Sequence, residues 1–119
     1  MRLPGELRDR TKTYASCTIR LYVALPRRRE EGAVLGHQLL RSGTSVAAHV
    51  REASRARSDA EFCSKLEGAL QEADESQLWL ELLRDDCGIS TPELVNLLRE
   101  TDELIAIFVT ILDRTKRRE

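Results

Sequence analysis

Two histidines and three cysteines are the residues of this chain best suited to metal binding or catalysis. In helical proteins a di-iron centre is held by Glu-x-x-His pairs. Val34 stands three residues before His37, and Val46 stands three before His49, so neither pair exists. The histidines are twelve residues apart, about 120° around a helix, and do not share a metal. Cys17, Cys63 and Cys87 are odd in number and none forms a CxxC pair. That argues against a disulfide framework or a zinc site, and for a reducing compartment. Ser45 and Ser58 have no base nearby in sequence, and no G-x-S-x-G, P-loop, HExxH or GxGxxG occurs. The expectation is a protein that is not an enzyme, with no catalytic residue, metal, cofactor or small-molecule substrate.

The arginines offer a different chemistry. Arg51, Arg55 and Arg57 form one cluster, and Arg27, Arg28 and Arg29 another. Either could hold the phosphates of RNA or DNA. No aromatic residues interleave with them, so a base-stacking platform is not expected. The alternative is a pair of solvated, salt-bridged helix ends. Charge along the chain allows both readings. Residues 1–60 hold twelve basic and six acidic residues, and residues 61–119 hold seven and fourteen, for a net charge of -1. Such asymmetry fits complementary antiparallel helices, and it also fits a basic face on a near-neutral protein.

Four helices must position these groups. They are expected near residues 4–25, 30–54, 58–85 and 91–114, in a single domain spanning 1–119. Leu7, Tyr14, Leu21 and Leu25 make the first stripe, which Pro26 ends. Leu35, Leu39, Ser42, Val46, Val50 and Ala53 make the second. Ser58 and Glu61 form a capping box that opens the third, with Phe62, Leu66, Leu70, Ala73, Gln77 and Leu80 as its stripe. Gly88 suits the C-terminal end of that helix. Ser90 and Glu93 have the spacing of a second box. Leu94, Leu97, Thr101, Leu104, Ile105, Phe108 and Leu112 follow on one face. The tail from Arg114 is expected to fray. Short loops make neighbours antiparallel, so the fold class is an all-α, up-down-up-down four-helix bundle.

Two surfaces are left over. Gly36, Gly43, Ala47 and Ser54 line a narrow arc of the second helix, where glycine costs up to about 1 kcal/mol against alanine. Another backbone must come close there, either inside the bundle or across a subunit boundary. The end of the third helix, Leu78 to Leu83, is apolar almost all round. Leu80 takes the core side, and Trp79 and Leu82 are expected to face outward as an oligomer interface. Arg41, Ser45 and Glu52 share a face of the second helix with Ala48, where they could pair across a subunit boundary.

Residues 38–53 resemble the signature of the "four helix bundle protein" family, first noted in intervening sequences of bacterial large-subunit ribosomal RNA genes. The run is Gln38-Leu39-Leu40-Arg41-Ser42-Gly43-Thr44-Ser45-Val46-Ala47-Ala48-His49-Val50-Arg51-Glu52-Ala53. Agreement continues through Arg55–Phe62, Ser64–Leu66, Glu72–Ser76 and Trp79–Leu83. The family typically has Asn followed by an aromatic residue or Ile where this chain has His49-Val50, and often Gly in place of Ala47. The resemblance implies a ring-like homopentamer with no known enzymatic activity. It also implies kinship with the accessory variability protein of diversity-generating retroelements, which binds nucleic acid and a reverse transcriptase. The functional expectation is a nucleic-acid-associated scaffold, or an accessory to a nucleic-acid enzyme. The alternative is a protein-interaction or structural module with no nucleic-acid role. Neither a membrane span nor a signal peptide can be read in the chain, so a cytoplasmic location is expected.

Overall fold

A computed structural model describes residues 3–26 and 29–118. These form four helices, α1 (Gly5–Ala24), α2 (Glu30–Ser54), α3 (Asp59–Asp85) and α4 (Pro92–Arg117), with no strand among the described residues. Each helix packs on its neighbours in chain order, and α1 closes the bundle against α4 through a thinner contact. The alternation puts the starts of α1 and α3 at one end with the finishes of α2 and α4. The molecule is a rod of 50 × 20 × 20 Å.

Local signals set the helix ends. Pro4 precedes the first turn of α1, and α3 begins where the Ser58 hydroxyl accepts the Glu61 amide at 3.0 Å. The cap of α4 is Thr91 rather than Ser90. Its hydroxyl accepts the Leu94 amide at 3.4 Å, with Pro92 in the first turn. After α3, Gly88 takes φ +70°, a backbone that only glycine adopts freely, and the Ile89 amide returns to the Leu83 carbonyl. The segment from Arg114 is not frayed. The helix runs to Arg117, and Thr115 is buried.

The core is built from Leu7, Leu21, Leu39, Val46, Phe62, Leu66, Leu80, Leu83, Leu94, Leu104 and Phe108, all essentially inaccessible. Across its middle runs a polar layer with one residue from each helix. The Ser42 and Ser76 hydroxyls meet at 2.7 Å, and the Tyr14 and Thr101 hydroxyls also meet at 2.7 Å. Ser76 and Thr101 each donate back to a carbonyl of their own helix. Thr101 therefore has no proton left for its partner, so Tyr14 is the donor in that pair. The third stripe differs from the sequence expectation at this layer. Ser76, with Cys63 and Ala69, takes the core side, while Leu70 and Gln77 lie half-buried on the flank toward α4. Gln77 donates there to Asp102.

The glycine stripe of α2 is a contact inside the bundle. An added Cβ on Gly43 would lie 2.5 Å from Thr18 Cγ2, and one on Gly36 would lie 2.8 Å from Leu25 Cδ1. A third close approach was not legible in the sequence: Gly68 of α3 receives the His49 ring.

Candidate nucleic-acid and assembly surfaces

Arg51, Arg55 and Arg57 come together at the turn between α2 and α3, and all three are exposed. Arg57 points a guanidinium at Glu61 from 3.8 Å but is 90% exposed, so this pair is loose. Arg51 and Arg55 make no ion pair among the described residues. With Glu52, Glu61 and Lys65 they rim an open hollow of about 450 Å³. Helix α2 ends here with Arg51 in its last turn, where a cation is favoured by the helix dipole. Arg29, the residue before α2, lies at the opposite end of the rod. Its guanidinium is committed to Glu31 at 2.5 Å. Arg27 and Arg28 lie outside the described residues.

Arg41 and Glu52 lie on the outward edge of α2 beside α3. Arg41 reaches Glu72 at 3.9 Å and Glu75 at 3.6 Å, and Glu52 reaches Lys65 at 3.7 Å. More than half of each side chain stays exposed. Ser45, half-buried between them, uses its carbonyl to accept the His49 Nδ1–H at 2.9 Å. The outer face of α2 is otherwise nearly free of charge: between Gly32 and Val50 only Arg41 carries one. Val34 and Ala48 stand open on it.

The outward orientation expected for Trp79 needs correction. Trp79 sits one turn beyond Glu75 and two beyond Glu72, so it lies on the flank of α3 that meets α2. It is half-buried and packed against the core, and its indole N–H is buried without an acceptor among the described residues. Leu82 lies on the same flank, half-buried. The open apolar residue of this stretch is Leu78. Helix α3 takes neighbours on two sides, which is why its wheel reads apolar over such a wide arc.

The histidines are apart. His37 Nε2 meets the Tyr22 hydroxyl at 3.0 Å at the α1–α2 seam, while His49 lies against α3. No three His, Cys, Asp or Glu side chains among the described residues gather as a metal would need. The thin α1–α4 seam holds a groove of about 430 Å³ lined by Thr13, Tyr14, Cys17, Arg20, Arg99 and Glu103. Arg10 bridges this seam with a bidentate grip on Glu100, at 2.6 and 2.7 Å, and a third bond to Glu103. The fork geometry orients both carboxylates and holds α4 to α1.

Burial raises the Tyr14 phenol above its ordinary value, and the bond to Thr101 only partly opposes this. The unfolded chain releases that proton near pH ~10. Above that pH the unfolded state binds fewer protons than the folded one, so stability falls as pH rises toward the folded value. Urea titrations at increasing pH above neutrality should show this loss. Tyr14→Phe should start less stable, by about 1 kcal/mol for the lost hydrogen bond, and should lose less on going alkaline. An equal alkaline loss in both proteins would assign the effect to other groups.

These elements define an all-α four-helix bundle with basic side chains gathered at the α2–α3 turn. The chain belongs to the 23S rRNA-intervening sequence protein family, whose sequence profile matches residues 7–110. It is also similar to a crystal structure of a protein of unknown function from the S23 ribosomal protein family of Bacteroides thetaiotaomicron. Identity there is 35%, the match covers 88% of this chain and 96% of that one, and the TM-score is 0.80. No curated protein matches the chain. No helix is long and apolar enough to cross a membrane, among the described residues.

Proposed function

We propose that this protein is a non-enzymatic, self-associating bundle that sits on nucleic acid, as a scaffold or as an accessory to a nucleic-acid enzyme such as a reverse transcriptase. The observation that carries this reading is the α2–α3 turn, where Arg51 and Arg55 stand exposed with no carboxylate among the described residues committed to them. An arginine whose role was internal charge balance would be paired, as Arg10, Arg29 and Arg84 are. The family's ribosomal RNA gene context agrees with it.

Self-association is assigned to the outer face of α2, with Arg41, Ser45 and Glu52 at its edge. A nearly uncharged helix face can be desolvated at little cost, and the long ion pairs of Arg41 and Glu52 leave both free to bond a neighbour. A ring of five follows the family resemblance. It would repeat the basic turn around its rim, and repetition raises modest affinity by about 10²–10⁴-fold.

The test is fluorescence anisotropy with a labelled single-stranded RNA and a duplex DNA, each in two unrelated sequences, near 50 mM salt. Binding of both sequences of a probe with similar affinity is expected, since arginines on phosphates carry no base readout. Absence of binding at that salt would leave the alternative, a protein-interaction module with no nucleic-acid role.

A further inference from the structure

We infer that the last turn of α4 and the start of α1 complete one phosphate-binding pole with the α2–α3 turn, through Arg8, Arg114 and Arg118. This inference rests on the nucleic-acid reading above and extends its site to three further residues.

Two hollows establish the adjacency. One, of about 320 Å³, brings Arg8 beside Ser54, Ala56 and Phe62 at the α2–α3 turn, with Leu3 and Pro4 in its wall. The other, of about 560 Å³, has the same Leu3 and Pro4 in its wall and opens among Arg114, Arg117 and Arg118 over Ile111 and Thr115. The α1 start is therefore the hinge between two arginine groups that are far apart in sequence. Lys116 fastens the same end to α3 by its bond to Glu67 at 2.6 Å.

Charge is uncommitted here. Four of the five residues from Arg114 to Arg118 are basic. Lys116 is taken by Glu67 and Arg117 by Asp113, also at 2.6 Å. Arg8, Arg51, Arg55, Arg114 and Arg118 make no ion pair among the described residues. The pole is about as wide as the 20 Å cross-section of the rod. That width spans about six phosphates of one duplex strand at ~3.4 Å each, a fair match to five free guanidiniums.

The placement of apolar surface favours nucleic acid over a lipid surface. Among the described residues Ile19, Val23, Val34, Leu78 and Val95 are exposed toward the opposite end of the rod, and Val109 is the one exposed large apolar side chain on this half of α4. A membrane-binding face would combine its cations with apolar anchors. Among the described residues this pole gathers its cations with a single exposed large apolar side chain, Val109, about two turns back along α4.

The experiment compares wild type with two variants, Arg114→Ala/Arg118→Ala and Arg51→Ala/Arg55→Ala, by anisotropy with one 20-nucleotide RNA and one 20-base-pair DNA. These are exposed side chains, and circular dichroism checks that helix content is kept. Each double variant should lose about 10-fold or more in affinity on both probes, with the four-residue variant weaker than either. Wild-type affinity unchanged in Arg114→Ala/Arg118→Ala but lost in Arg51→Ala/Arg55→Ala overturns the extended pole and leaves the nucleic-acid reading standing. No binding by wild type overturns both. Binding to phosphatidylserine vesicles in place of either nucleic acid overturns the inference in favour of a membrane.

Discussion

Gly43→Leu should unfold this protein or leave it only marginally stable, with Gly43→Ala less stable than wild type by about 1–2 kcal/mol. Alanine in place of a helix glycine would ordinarily gain up to about 1 kcal/mol. Here the added Cβ meets the Thr18 side chain at 2.5, 3.0 and 3.1 Å. Thr18 is β-branched, fully buried and bonded through its hydroxyl to the Ala15 carbonyl at 2.7 Å, so it has no open rotamer to swing into. The backbones of α1 and α2 must separate instead. Urea denaturation of Gly43→Ala, Thr18→Ala and the double variant measures this directly. The double variant should recover most of the loss, with a coupling of about 1–2 kcal/mol. A Gly43→Ala protein that gains stability would show that the seam is looser than the contact implies.

The second large effect concerns assembly. Wild type should elute as a multiple of the 13.5 kDa chain, with five copies as the expected number. Val34→Glu and Ala48→Glu should shift it toward monomer with helix content intact. Both side chains are open in the single bundle, so a carboxylate there costs the fold little. Across an interface the same carboxylate is buried without a partner, at a cost of several kcal/mol, and ~1.4 kcal/mol is already tenfold in affinity. Trp79→Glu is a poorer probe, because Trp79 packs against its own core and the variant would weaken the bundle itself. Light scattering coupled to gel filtration decides the matter. A monomeric wild type, or variants that keep the wild-type mass, would remove this face from the account.

The helices were legible because their ends carry chemistry. Ser58 offers a hydroxyl three residues before Glu61, Pro26 forbids helix before it, and Gly88 supplies a positive φ. The glycines of α2 announced a close approach but not its partner, since Thr18 is twenty-five residues away in the chain and nothing local links the two. The α3 stripe misled. Ser76 and Gln77 are both polar neighbours, and only the facing Ser42 hydroxyl decides which one is buried. The same lack of contrast made Trp79 look outward.

Of the candidate site, the arginines at the α2–α3 turn were legible as a cluster. Those at the end of α4 read, in sequence, as a polar fraying tail. The available signal was their position, since cations in the last turn stabilise a helix C-terminus. Their meeting with Arg8 depends on tertiary structure: antiparallel packing brings residues 8, 51–57 and 114–118 to one end of the rod.

The most direct measurement of the central claim is the salt dependence of wild-type binding to the RNA probe, taken from about 50 to 200 mM. If the five free arginines of one pole each displace a counterion, log affinity for this single strand should fall against log salt with a slope of about −3.5, steeper if several poles of a ring engage. Arg114→Ala/Arg118→Ala should flatten the slope by about 1.4. A wild-type slope near zero, with binding intact, would contradict a phosphate-binding pole.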